Sequence, residues 1–150
     1  MMRQAKPVLV AVAVAALAGA GAASASTYRD GPLTATFRAP THHPNCRQKW
    51  PVTVTATYNG RPARATAFYQ FMYGGTVVGR QYPFSNTRRN RHDRLWHFRG
   101  RFTDNTFGPF GSLAVGQPIT VRAVVRDGRY TAYPSYSVRV VRVRGCRAVR

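Results

Sequence analysis

Apolar and polar side chains alternate every second residue along much of this chain, a pattern that predicts half-buried β-strands. The clearest stretch is residues 50–58, which ends at the turn pair Asn59 and Gly60. Its two faces differ in chemistry: Trp50, Val52, Val54, Ala56 and Tyr58 against Thr53, Thr55 and Thr57. Helical spacing is almost absent beyond the first 25 residues, so we expect an all-β chain.

Three more regions show the same alternation. Residues 33–38 predict a short strand, and residues 65–73 and 76–82 predict a hairpin. Gly74 and Gly75 join that hairpin because glycine readily adopts the positive φ of a two-residue turn. Residues 94–102 predict a single strand with two faces: Trp96, Phe98, Gly100 and Phe102 inward, and His97, Arg99 and Arg101 outward.

The last third of the chain predicts a second hairpin, because Asp127-Gly128 is a strong turn signal between residues 118–126 and 129–144. Pairing about this turn predicts the following partners: Val125 with Tyr130, Ala123 with Ala132, Ile119 with Tyr136 and, outside, Arg122 with Tyr133. In the final strand the apolar residues move from one face of the strand to the other after Val140. This change predicts a β-bulge between Val140 and Val141, with Val141 and Val143 on the opposite face from Val138 and Val140.

Seven predicted strands in about 125 residues, with turn signals between them, are typical of an immunoglobulin-like two-sheet antiparallel β-sandwich. We expect residues 26–150 to form this single domain. Two long loops, residues 83–94 and 103–117, interrupt the strands.

The first 25 residues are expected to be a secretory signal peptide. Arg3 and Lys6 precede an apolar run, and the small residues Ala23-Ser24-Ala25 favour cleavage after Ala25. An uncleaved membrane anchor over residues 7–25 is the alternative. The protein is therefore expected to be secreted or extracellular.

The two cysteines, Cys46 and Cys146, are expected to form a disulfide, because thiols of exported proteins are usually oxidised. They are 100 residues apart, so a bridge would tie the beginning of the domain to its end. Loop-closure entropy gives such a bridge about 4–5 kcal/mol. Two free thiols or a metal pair are the alternatives, although no metal-type spacing supports the pair.

Positive charge dominates the composition. The 150 residues include 23 Lys and Arg against 4 acidic residues, with no Glu, which gives a formal net charge of +19. Removal of Arg3 and Lys6 with the signal peptide leaves 21 basic and 4 acidic residues, a net +17. Twenty of those 21 are arginine, which can reflect selection for anion contacts or the codon usage of a GC-rich genome. Enzymes built on paired carboxylates are poor candidates.

Several short motifs resemble a group of uncharacterised, small secreted immunoglobulin-like domains from high-GC Gram-positive bacteria. The resemblance covers most of residues 33–143 and rests on these stretches: Thr41-His42-His43-Pro44, Trp50-Pro51-Val52-Thr53-Val54-Thr55, Gly60-Arg61-Pro62, Tyr69-Gln70-Phe71, Gly74-Gly75-Thr76-Val77-Val78-Gly79 and Val115-Gly116-Gln117-Pro118-Ile119-Thr120. It implies the sandwich fold and an exported location, and it brings no activity and no functional residues.

Reactive side chains are few and scattered. The mature chain has His42, His43, His92 and His97, and Asp30, Asp93, Asp104 and Asp127, whereas a metal site needs at least three ligands that converge. No nucleophile pairs with a base in sequence, and no glycine-rich phosphate loop is present. We therefore expect no metal, no cofactor and no enzymatic activity.

The strongest local feature is a basic loop, in which Arg88, Arg89, Arg91 and Arg94 fall within seven residues. Arg99 and Arg101 are predicted to share one exposed face, and Arg122, Arg126 and Arg139 another. We predict anion binding at Arg88, Arg89, Arg91, Arg94, Arg99 and Arg101. A solvated surface shaped by codon usage is the alternative interpretation.

Aromatic residues offer a second hypothesis, since Tyr and Trp can stack on sugar rings. Six of them group around the hairpin and the long loop: Tyr69, Tyr73, Tyr82, Phe84, Phe107 and Phe110. We expect most of them in the core. Phe107 and Phe110 are the best candidates for exposure, although loop aromatics more often anchor a loop by burial.

The sequence thus predicts a secreted, non-catalytic binding module. Its expected partner is an anionic polymer of the cell envelope, such as teichoic acid, or nucleic acid or an acidic protein, with retention at the cell surface by charge. A structural or protein-interaction module without a role toward polyanions is the alternative function.

Overall fold

Side chains that alternate along each strand point in turn toward a shared core and toward solvent. A computed structural model describes residues 24–82, 95–105, 107–111 and 114–146. The strands are β1 (Ser24–Asp30), β2 (Leu33–Ala39), β3 (Val52–Tyr58), β4 (Arg61–Pro62), β5 (Arg64–Tyr73), β6 (Thr76–Gln81), β7 (Trp96–Arg99), β8 (Arg101–Asp104), β9 (Pro118–Asp127), β10 (Tyr130–Ala132) and β11 (Ser135–Arg139).

These strands form two antiparallel sheets that pack as a β-sandwich. Sheet 1 has the order β1-β2-β3, with β4 and β8 both paired to the far side of β3. In sheet 2, β9 lies between β5 on one side and β10 and β11 on the other, and β6 and β7 pair with the far side of β5. The pairing of β3 with β8 corresponds to the pairing of strands B and E in immunoglobulin-type sandwiches. The order β5-β9-β11 corresponds to their strands C, F and G.

The core lies between the two sheets and consists of the apolar residues that point inward from each strand. Val52, Val54 and Ala56 are fully buried on β3, as the alternation predicted. Trp50 is the central side chain, because four aromatic rings surround it at centroid distances of 5.4–6.0 Å: Phe37, Phe107, Phe110 and Tyr136. Its indole Nε1–H donates to the carbonyl of Thr41 at 2.8 Å, so the ring is buried without an unsatisfied donor.

The seven predicted strands are present, several of them in shorter segments, and β1 is an additional strand. The hairpin at Gly74 and Gly75 joins β5 to β6 as predicted. Pro134 separates β10 from β11, because proline cannot donate to the ladder. Residues 26–32 are mostly polar, which explains why alternation of apolar and polar residues did not predict β1.

The prediction of one continuous strand over residues 94–102 is wrong, because the strand is interrupted at Gly100. There the chain leaves sheet 2, where β7 pairs with β5, and enters sheet 1, where β8 pairs with β3. Gly100 has φ +70°, and a Cβ at this position would lie 2.9 Å from the Cβ of Pro62. The alternation continues across this change, because both strands turn their apolar side chains toward the same core.

The predicted register of the last hairpin is wrong by two residues. Val125 lies opposite Ala132 instead of Tyr130, and Tyr136 lies opposite Val121 instead of Ile119. The turn therefore consists of Gly128 and Arg129. An even shift keeps every side chain on its predicted face, because side chains alternate with a period of two.

The bulge predicted between Val140 and Val141 is also wrong. Strand β11 ends at Arg139, and the chain continues through two isolated parallel bridges, Val140 with Val115 and Val141 with Asn45. Val138 and Val140 are buried and Val141 and Val143 are exposed, as regular alternation gives, so no extra residue is needed to explain the change.

Candidate anion-binding surface

Six arginines project from the outer face of sheet 2, the face that points away from the core. They come from five strands: Arg64 on β5, Arg80 on β6, Arg99 on β7, Arg122 and Arg126 on β9, and Arg139 on β11. Their neighbours in each strand point inward, so the period of two places all six guanidinium groups on one side. We call this surface the arginine face.

Two of these arginines are direct cross-strand neighbours. Arg64 on β5 lies opposite Arg99 on β7, and both are exposed. In the next row, Thr66 lies between His97 and Arg126. Like charges directly opposite each other destabilise a sheet, so an anion that contacts both Arg64 and Arg99 would remove a repulsion as well as add an attraction.

Arg122 is held in a fixed orientation by its neighbours. Its Nε and Nη2 both donate to Oε1 of Gln70, with the Nε bond at 2.9 Å, and its Cζ lies 5.0 Å from the centroid of the Tyr133 ring. Gln70 is buried, and the bond satisfies its carbonyl oxygen. The predicted contact between Arg122 and Tyr133 is therefore present, as a diagonal contact instead of a direct pair.

An apolar strip crosses the middle of the arginine face. Phe68 and Val124 point outward from sheet 2, yet both are buried. The Tyr82 ring stacks on Phe68 at 5.6 Å, and the Cζ of Arg126 lies 5.9 Å from the same ring. Arginines that rest on aromatic rings lose less freedom on binding than free side chains do, which favours anion contacts on this face.

The structure places the predicted anion-binding residues as follows. Arg88, Arg89, Arg91 and Arg94 lie outside the described residues, so their assignment stays a prediction. Arg99 lies on the arginine face, whereas Arg101 projects from the outer face of sheet 1, opposite Thr55. The prediction that Arg99 and Arg101 share a face is wrong, because the chain changes sheets between them.

Sequence reasoning grouped Arg122, Arg126 and Arg139 correctly but separated them from Arg99, and it did not select Arg64 or Arg80. The signal that could have joined them is Gly100, since a glycine inside a strand pattern often marks a bend. Arg64 directly precedes the predicted strand over 65–73, so its face was not assigned.

The predicted disulfide is present between Cys46 and Cys146, with a Cα–Cα distance of 5.9 Å and a sequence separation of 100. Backbone bonds support the same junction: Arg139 N–H donates to the carbonyl of His42 at 2.8 Å, and Val141 N–H to that of Pro44 at 2.9 Å. The bridge thus joins the segment before β3 to the segment after β11.

The described histidines do not converge on one point: His42 and His43 are adjacent in one loop, and His97 lies on β7. His42 donates from Nδ1 to the carbonyl of Ser137 at 2.6 Å and stacks on Tyr136 at 4.1 Å. His43 is exposed, and His97 is exposed on β7 as predicted, whereas His92 lies outside the described residues. Within the described ranges, no group of three His, Cys, Asp or Glu side chains could hold a metal ion.

Phe107 and Phe110 are buried, so the idea of an exposed aromatic pair in this loop is wrong. Both rings pack on Trp50, at centroid distances of 5.5 and 5.4 Å. Of the other aromatics in the group, Tyr69 is buried and Tyr73 is half exposed, while Phe84 lies outside the described residues. These two rings therefore anchor the described part of the loop in the core.

Buried hydrogen bonds connect the two sheets, and one of them joins the Tyr136 hydroxyl on β11 to the carbonyl of Ala39 on β2 at 3.4 Å. The Tyr69 hydroxyl on β5 donates to Oδ2 of Asp104 on β8 at 3.3 Å. Burial, and secondarily the negative charge of Asp104, raises the pKa of Tyr69 far above its ordinary value. The phenol therefore stays protonated and keeps its donor role.

The described part of the chain contains no helix that is both long and apolar enough to cross a membrane. Searches against family models, curated proteins and solved structures found no match to this chain.

Proposed function

We propose that this protein is a secreted, non-catalytic module that binds anionic polymers of the cell envelope through the arginine face. One observation carries the proposal: six arginines share one face of sheet 2, and no described aspartate lies on it. Asp30 accepts a bond from Thr131 N–H beside β1, Asp104 points into the core, and Asp127 lies at the end of β9.

The spacing of the arginines suits a flexible chain of phosphates. Neighbouring strands are about 4.8 Å apart, and residues on one face repeat about every 6.7 Å along a strand. Arg122 and Arg126 are therefore about 13 Å apart along β9, with Arg64 and Arg99 on strands beside them. Guanidinium groups bind phosphate in a bidentate manner, and each neutralised phosphate releases counterions, so binding should depend steeply on salt.

Export is the second part of the proposal. The disulfide is compatible with an oxidising, extracellular compartment. We infer that residues 1–25 are removed, which would leave a chain that begins at Ser26 and retains Ser26–Asp30 of β1 paired with β2. Mass spectrometry of protein from the culture medium should give this N-terminus and a mass two hydrogens below that of the reduced chain. An intact N-terminus in the membrane fraction would contradict export.

The binding experiment compares two double variants with equal loss of charge. Arg64→Gln/Arg99→Gln changes the arginine face, and Arg38→Gln/Arg101→Gln changes two exposed arginines on the outer face of sheet 1. Binding to a glycerol-phosphate polymer is measured by titration at several salt concentrations. The first variant should reduce the log–log salt slope by about 1.4, on the single-strand value of about 0.7 per phosphate, and the second should leave it unchanged.

Equal loss in both variants would mean that charge acts from the whole surface, and the assignment to the arginine face would fail. If the unchanged protein does not bind the polymer at about 0.15 M salt, the alternative function applies, a structural or protein-interaction module.

A further inference from the structure

A second basic site lies at one end of the sandwich, where the hairpins β3–β4 and β9–β10 come together. It is an open pocket with a volume of about 600 Å³, in the size range of ligand sites. Three arginines, two tyrosines and one carboxylate are the functional groups of its wall: Arg61, Arg64, Arg129, Tyr58, Tyr130 and Asp127. Arg64 also lines the neighbouring depression with His97 and Arg99, so the pocket borders the arginine face.

Arg129 is fixed in place at this pocket. Its Nη2 donates to the Tyr130 hydroxyl at 2.9 Å, and its Cζ lies 5.0 Å from the Tyr130 ring centroid. The hydrogen bond to Tyr130 raises the pKa of Arg129 above its ordinary range. The guanidinium is charged in any case, because arginine does not lose its proton in proteins. A charged group that is already oriented loses little side-chain entropy when an anion binds.

Tyr130 is itself held from two other directions. The Tyr58 ring meets it edge-on at 5.9 Å, and Gly31, in the turn between β1 and β2, packs against it. A Cβ on Gly31 would lie 2.8 Å from Cε1 of Tyr130, so only glycine allows this close approach. Gly31, Tyr58 and Arg129 thus all contact Tyr130, which fixes the ring at the edge of the pocket.

The register of the last hairpin creates this arrangement. In the register that the turn signal predicted, Asp127 would lie in the turn, whereas in the structure Asp127 pairs with Tyr130 at the strand ends and Arg129 occupies the turn. Asp127 therefore lines the same pocket as Arg61, Arg64 and Arg129.

Three guanidinium groups and one carboxylate select a particular ligand chemistry. Arginines donate hydrogen bonds to phosphate oxygens, while an ionised aspartate can only accept and repels an anion that has no donor to offer. A hydroxyl group next to the phosphate would satisfy Asp127 at the same time as the phosphate binds the arginines.

We propose that this pocket binds one phosphate group with a neighbouring hydroxyl, as in a polyol-phosphate or sugar-phosphate unit. The inference rests on the proposed function, since it names the unit of the envelope polymer that the protein recognises. The arginine face supplies attraction to any polyanion, and the pocket supplies preference for a hydroxyl-bearing phosphate.

The test uses three small probes on the whole mature protein, at a pH where both phosphate esters are fully ionised: glycerol 3-phosphate, ethyl phosphate and glycerol. Amide NMR shifts locate each probe and give its dissociation constant. Glycerol 3-phosphate should shift the amides of Asp127, Gly128, Arg129 and Tyr130 and bind about tenfold more tightly than ethyl phosphate, which has no hydroxyl for Asp127, the effect of one hydrogen bond to a charged group. Glycerol alone should cause no shift.

Two variants check the roles of the side chains. Asp127→Ala should bring the affinities for glycerol 3-phosphate and ethyl phosphate within about twofold, because the carboxylate that accepts from the hydroxyl and repels the other ester is lost. Arg61→Gln/Arg129→Gln should abolish the shifts at the pocket, while Arg38→Gln/Arg101→Gln, on the outer face of sheet 1, should leave them unchanged. A thermal melt confirms that each variant is folded.

Equal affinity for both phosphates in the unchanged protein, or shifts spread over the arginine face without focus on the pocket, would overturn the pocket proposal. Binding of the glycerol-phosphate polymer by the arginine face would then still stand, because Arg99, Arg122 and Arg126 lie outside the wall of this pocket. The two proposals can therefore fail separately.

Discussion

The two outer faces of the sandwich are built from the same alternating pattern but differ in chemistry. The outer face of sheet 1 is a threonine face with three arginines among the hydroxyls: Thr27, Thr34, Thr36, Thr53, Thr55, Thr57 and Thr103, with Arg29, Arg38 and Arg101. Some of its hydroxyls pair across strands, Thr27 with Thr36 at 2.9 Å and Thr53 with Thr103 at 3.0 Å. The arginine face has six cations, with aromatic rings between them.

This difference bears on the origin of the arginine excess. Codon usage acts along the whole chain and does not distinguish one sheet from the other. Threonine serves well on an exposed strand surface, since its β-branched side chain suits the pleat. A sheet in the same protein that uses arginine at equivalent positions therefore supports selection for charge on that face. The comparison suggests four experiments, which follow in order of expected effect.

The largest effect is expected at the disulfide, which lies away from both outer faces. Cys46→Ala/Cys146→Ala should lower the free energy of unfolding by about 4–5 kcal/mol, because the bridge restricts a long loop in the unfolded chain. Denaturant titration measures the loss. Polymer binding by the folded variant should match that of the unchanged protein; a changed salt slope would show that the bridge also orients the arginine face.

Gly100 is the point at which the chain passes from one sheet to the other. Arg99, before it, lies on the arginine face, and Arg101, after it, lies on the outer face of sheet 1. Gly100→Ala should destabilise the protein by about 2–3 kcal/mol, because alanine is strained at φ +70° and its Cβ would lie 2.9 Å from the Cβ of Pro62. Gly79→Ala is the matched control on β6, where a Cβ would have only an ordinary 3.7 Å contact with Phe71. Similar denaturation midpoints for both variants would contradict this role of Gly100.

A charge exchange between the faces tests the comparison directly. Arg64→Thr/Arg99→Thr combined with Thr36→Arg/Thr55→Arg keeps the net charge and moves two cations to the threonine face. If location matters, the dissociation constant for the polymer should rise about fivefold to tenfold, since each exposed ion contact contributes about 0.2–1 kcal/mol. An unchanged dissociation constant would mean that only the total charge counts.

The smallest effect concerns the bond between Tyr69 and Asp104, which links the sheets beneath the two faces. The folded state raises the pKa of Tyr69, so the folded protein keeps a proton that the unfolded chain loses above about pH 10. This contribution to stability is fully present below that pH and is lost as the pH rises further, at about 1.4 kcal/mol per pH unit. Tyr69→Phe should remove this slope from a plot of the free energy of unfolding against pH above about pH 10. An unaltered slope in the variant would contradict the prediction.

Part of the candidate surface could be foreseen. Arg122, Arg126 and Arg139 were grouped correctly, because one face of a strand repeats every second residue. Arg99 was placed with Arg101, because nothing in an alternating pattern reports that a chain changes sheets. The pocket at Arg129 was not foreseen, since the Asp127-Gly128 signal gave a register two residues away from the one that the structure adopts.

The amino-acid sequence by itself determined which side chains face the core and which face solvent, because a period of two is a local property that survives bends and even register shifts. It also determined the cysteine pair and the charge. Only the tertiary structure decided which outer face a solvent-facing arginine occupies, and that Arg64 and Arg99 become neighbours. Those relations depend on contacts between strands that are distant in sequence, and the packing of both sheets around Trp50 selects them.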